Sequence, residues 1–113
     1  MPRDEGYLVS MLISARRVQE SVEGVSYELF ISDREKYDSV ILQIGNIGES
    51  ANHVSKLFRD AHPEIQWTAI INMRHRMVHG YDLIKLEQVW AAATISIPDL
   101  IKRLEPLVPP DTK

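Results

Sequence analysis

Three residues in one short stretch carry side chains that can do chemistry on a phosphate. They are Arg74, His79 and Tyr81, in the run Arg74-His75-Arg76-Met77-Val78-His79-Gly80-Tyr81. A guanidinium can hold a phosphate through two parallel hydrogen bonds and stabilise charge that develops on it. An imidazole titrates near neutrality and can exchange a proton with a ribose hydroxyl or a leaving oxygen. Together these roles suffice for RNA cleavage without a metal, with the 2′-hydroxyl as internal nucleophile. Two basic groups make a sparse site, and a second copy across a dimer axis would double the positive charge.

Spacing decides whether the groups can meet. Residues five apart on a regular helix point ~140° away from each other, so Arg74 and His79 would diverge if the helix ran through both. Gly80 permits a stop near His79, after which the imidazole can swing back toward Arg74 and Tyr81 can lie beside both. Position 74 also completes an apolar stripe of Trp67, Ile70, Ile71, Met77 and Val78, where a charge is costly unless paired or used. Each residue has a plainer role open to it. Arg74 can pair with a carboxylate such as Glu49, His79 can cap a helix or face solvent, and Tyr81 can pack its ring while its hydroxyl reaches water.

The elements that must position these residues all read as helices. Leu8, Met11, Leu12, Ala15, Val18 and Val22 form one face of a first helix from about Asp4 to Ser21, stopped by Gly24. The segment from Val25 to Ile31 reads as an apolar connector packed on the core. Ser32-Asp33-Arg34-Glu35 matches a capping box and predicts a second helix running to about Asp60, with Tyr37, Val40, Ile41, Ile44, Ile47, Ala51, Val54 and Phe58 as its stripe. Gly45 and Gly48 lie within it, where each costs ~1 kcal/mol against alanine, and they suggest that another helix passes close by. His62-Pro63-Glu64 is a break, a third helix spans about Glu64 to Val78, and a last one spans about Leu86 to Leu104 with a kink at Pro98. The expected architecture is all-α, an antiparallel bundle of four to five helices.

The chain has 113 residues, which predicts one domain over 1–113 with a flexible tail at about 106–113. It has no cysteine, so thiolate metal sites and disulfides are excluded. No run reaches the ~18–20 apolar residues of a membrane span, and the N-terminus lacks a signal-peptide pattern; a cytoplasmic location with no membrane contact fits. A net charge of −3 argues against a general nucleic-acid coat protein but leaves room for a local basic site.

Arginine, four residues, histidine, one residue, tyrosine is a pattern that resembles the signature of the HepT-like toxins of the HEPN superfamily. Gln43-Ile44-Gly45-Asn46-Ile47-Gly48-Glu49-Ser50-Ala51 resembles that family's Gly-Glu helix, and Trp67, Val89-Trp90 and Ile97-Pro98-Asp99-Leu100 also resemble it. The resemblance implies a small HEPN-like bundle that forms a homodimer, with the two motifs in one cleft. It implies a ribonuclease that works without metal or cofactor, with Arg74 and His79 catalytic and Glu49, His75 and Gly80 in support. It also implies a partner, a minimal nucleotidyltransferase antitoxin that transfers AMP to Tyr81. Added phosphates there would fill the anion site and repel RNA. His75 departs from the asparagine or aspartate common after the arginine. Two other readings remain open: a non-catalytic module that binds nucleotide or substrate for a nucleotidyltransferase, and a purely structural dimerisation protein.

Overall fold

Apolar spacing translates directly into the first helix. The expected face of α1 (Pro2–Val22) is buried from Leu8 to Val18, with Val22 at its margin, and the chain leaves it through Gly24 at φ +72°, the left-handed turn that glycine takes most readily. The structure is a computed structural model that describes residues 2–79 and 84–110, and for Pro2, Val78 and His79 it describes the backbone alone.

The expected connector is itself a helix. In α2 (Tyr27–Ser32) the Ser26 hydroxyl accepts from the Leu29 N–H at 3.2 Å. Phe30 is fully buried against the rings of Tyr37 and Trp90, while Leu29 and Ile31 face solvent. Because Ser32 closes α2, it cannot cap the next helix. Asp33 does so, its carboxylate accepting from the Lys36 N–H at 3.1 Å, and α3 is Arg34–His53.

α3 stops well short of Asp60, and the cause is a contact distant in sequence. The chain turns extended at Val54 and restarts as α4 (Lys56–Ala61). The Asp4 carboxylate on α1 accepts from the Ser55 N–H at 2.8 Å and the Ser55 hydroxyl at 2.6 Å. The same Ser55 oxygen accepts from the Phe58 N–H at 3.2 Å, so one serine caps α4 while its own donors are held by α1. α5 (Trp67–His79) begins three residues later than the proline break suggests. The His62 carbonyl accepts from the Trp67 indole at 2.9 Å and from the Ile65 N–H at 3.3 Å, which folds 63–66 into a turn.

The last helix spans 86–104 as α6 (Leu86–Ala91), a wide π turn over Ala92–Ser96, and α7 (Ile97–Leu104). Its distortion lies immediately before Pro98, which has no N–H to complete a regular turn. Beyond it Glu105 pairs with Arg16 at 3.1 Å, and Leu107 and Val108 lie half-buried against the core. α3 packs between α1 and α5, and α7 packs on α1. The result is an all-α bundle with no strand among the described residues. No helix there is long and apolar enough to cross a membrane.

Candidate functional site

α5 concentrates positive charge in a chain of net negative charge. Its sequence, WTAIINMRHRMVH, contains no carboxylate, and Arg74, His75, Arg76 and His79 fall in its last six residues. Cationic side chains at that end also interact favourably with the helix dipole. The apolar stripe that leads to Arg74 is shallower than its pattern suggests. Trp67 is buried, but Ile70, Ile71, Met73 and Met77 are only partly so. α5 lies at the edge of the bundle with α3 as its main neighbour, and position 74 is therefore a rim position, 29% exposed at the side chain.

Gly48 is what brings the two helices together at that point. A Cβ built there would collide with the Arg74 Cβ and lie 3.1 Å from the Ile70 carbonyl oxygen. No side chain fits, so the close approach foreseen from the glycine pair belongs to Gly48. Gly45 has open space around it and lines a groove of about 390 Å³ with Asp38, Ile41, Leu42, Glu49, Arg74 and Met77.

One residue after the contact glycine, Glu49 meets the guanidinium: Arg74 Nη2 forms an ion pair with Glu49 Oε2 at 2.6 Å. The pair is open to solvent, with Glu49 47% exposed. This contact engages one nitrogen of a fork that has five N–H donors, so Arg74 can keep its carboxylate and still bind a phosphate. The structure also brings in a residue that the sequence did not single out. His53 Nε2 lies 3.0 Å from the other oxygen, Glu49 Oε1, and the His53 imidazole stacks on the Tyr7 ring of α1 with centroids 5.1 Å apart. The signal for His53 was there to be used, since residues four apart share a helix face.

The other expected site residues have different fates. His75 and Arg76 are exposed on α5. The described part of α5 runs to His79. The His79 side chain, Gly80 and Tyr81 lie outside the described residues, so the arrangement of imidazole and phenol around Arg74 does too. No group of three or more His, Asp or Glu among the described residues is placed to hold a metal ion.

Comparison with known proteins converges on one family. A family model described as "Ribonuclease HepT-like" matches residues 11–107. Among named relatives, "Probable ribonuclease HepT" of Thermococcus cleftensis is 27% identical over 89% of this chain and 92% of its own. "Putative RNase TTE0752" of Caldanaerobacter subterraneus subsp. tengcongensis is 28% identical over 90% of this chain and 91% of its own. "Putative RNase MJ0127" of Methanocaldococcus jannaschii is 22% identical over 96% and 91%. No solved structure matches the chain. With the family model covering all but the first ten and last six residues, the chain belongs to the HepT-like ribonuclease family.

Proposed function

We propose that this protein is a metal-independent endoribonuclease and the toxin of a toxin–antitoxin pair. The observation that carries the reading is the Arg74 guanidinium, paired with Glu49 at 2.6 Å yet partly exposed on the wall of an open groove, at the most cationic end of the molecule's motif helix. In this reading Arg74 binds the non-bridging oxygens of a phosphodiester. Neutral His79 takes the proton of the ribose 2′-hydroxyl as its oxygen bonds to phosphorus, and the bond to the 5′-oxygen breaks. That oxygen takes up a proton from water, His79 returns its proton to solvent, and the products are a 2′,3′-cyclic phosphate and a 5′-hydroxyl.

The same groove supports a homodimer. Leu42 is 61% exposed and shares the groove with Ile41, Met77 and Arg74. A second copy seated there would cover apolar surface and bring two arginines into one cleft. The toxin role adds a nucleotidyltransferase antitoxin that places AMP on Tyr81, where the added phosphate would compete for the anion site. Both proteins would act in the cytoplasm.

The test is incubation of the purified protein with RNA in excess chelator. Wild type is expected to cut, and Arg74→Ala and His79→Ala are expected not to. Tight nucleotide binding without turnover would favour the non-catalytic module instead. Intact mass of the toxin co-expressed with a nucleotidyltransferase should show AMP increments that Tyr81→Phe abolishes; an unchanged increment on that variant would remove Tyr81 as the sole acceptor.

A further inference from the structure

We infer that His53 is a positioning residue for Arg74, acting through Glu49 to hold the guanidinium in one orientation toward an RNA phosphate; this rests on the ribonuclease reading. The carboxylate is the link between the two. The last torsion of a glutamate side chain is broad and weakly restrained, so a carboxylate held by one oxygen can pivot and take its partner with it. Glu49 is held by both. Oε2 is ion-paired with Arg74 Nη2 at 2.6 Å, and Oε1 lies 3.0 Å from His53 Nε2. An ionised carboxylate only accepts, so Nε2 carries the hydrogen.

His53 is in turn restrained twice. It sits four residues after Glu49 on α3, which fixes its distance from the carboxylate. Its ring also lies on that of Tyr7, the two planes 19° apart. Among the described residues, Tyr7 from α1, Glu49 and His53 from α3, and Arg74 from α5 form this chain of contacts, and Asp38 of α3 lines the same groove. The chain of contacts that ends at the guanidinium draws on three helices.

Exposure decides what this chain of contacts is for. His53 and Glu49 are 49% and 47% exposed at the side chain, and ion pairs so open to water add little to stability. Their geometry matters more than their energy. A guanidinium set at the correct angle before substrate arrives loses less freedom on binding, and a small misplacement of such a group slows catalysis by up to ~100-fold.

The test uses the full chain and three variants. In His53→Gln the amide nitrogen can reach where Nε2 stood. In His53→Asn the shorter side chain leaves its amide out of reach, and His53→Ala removes the donor. The first readout is the Arg74 guanidinium signal in arginine-labelled NMR spectra, assigned with Arg74→Lys. Restricted rotation is expected in wild type and His53→Gln, and free rotation in His53→Asn and His53→Ala. The second is RNA cleavage. kcat should fall roughly tenfold in the last two variants with KM and melting temperature nearly unchanged, and should recover in His53→Gln. Identical Arg74 signals in all four proteins would overturn the inference, as would equal kcat values. If wild type cuts no RNA, the ribonuclease reading fails by itself, and the NMR comparison still decides whether His53 orients Arg74.

Discussion

Arg74 owes its place to what Gly48 lacks. With a side chain at position 48 the two helices could not approach, and the guanidinium would not meet Glu49 at 2.6 Å. Gly48→Ala should therefore be destabilising despite alanine's better helix propensity. Overpacking of this kind costs about 1–3 kcal/mol, and a thermal melt should show a fall of several degrees; an unchanged or raised melting temperature would refute the close contact. Glu49→Gln tests the opposite case. An exposed ion pair contributes ~0–1 kcal/mol, so this variant should melt with wild type while RNA cleavage drops about tenfold, because a neutral amide orients the guanidinium less well. Both residues were legible from sequence, Gly48 as half of a glycine pair and Glu49 as an available carboxylate. His53 was not singled out, because its four-residue spacing from Glu49 is common on any helix and gains meaning only when α1 brings Tyr7 alongside.

At the scale of elements, the apolar faces of α1 and α3 emerged from spacing alone, since burial is set by which residues share a face. Boundaries did not. Ser32 and Asp33 are both good caps, and the choice between them depends on α2, a helix that reads as an apolar connector. The break between α3 and α4 depends on Asp4, fifty-one residues away from Ser55. Asp4 is buried, and the Ser55 hydroxyl, together with the Ser55 N–H, holds its carboxyl below the ordinary 3.8. A carboxyl whose folded value is depressed stabilises the fold above its unfolded value, and this contribution is lost as pH falls through the folded value. Asp4→Asn should cost about 1–3 kcal/mol at neutral pH. It should also flatten the loss of stability below about pH 4, as read by denaturant titration at several pH values; a variant with the wild-type pH profile would contradict this role.

The whole molecule carries its charge unevenly, net negative yet cationic at the end of α5. Cleavage should weaken steeply with added salt, because phosphate contacts release counterions. Leu42→Arg, at the exposed groove beside Arg74, should yield a monomer by sedimentation and lose cleavage if a second copy completes the site. A dimer that persists would place the interface elsewhere. The chemistry of the RNA ends tests the central claim most directly. Mass spectrometry of fragments produced in chelator should find 2′,3′-cyclic phosphates opposite 5′-hydroxyls with wild type and no such fragments with Arg74→Ala. Fragments bearing 5′-phosphates, or cyclic ends formed equally by Arg74→Ala, would contradict it.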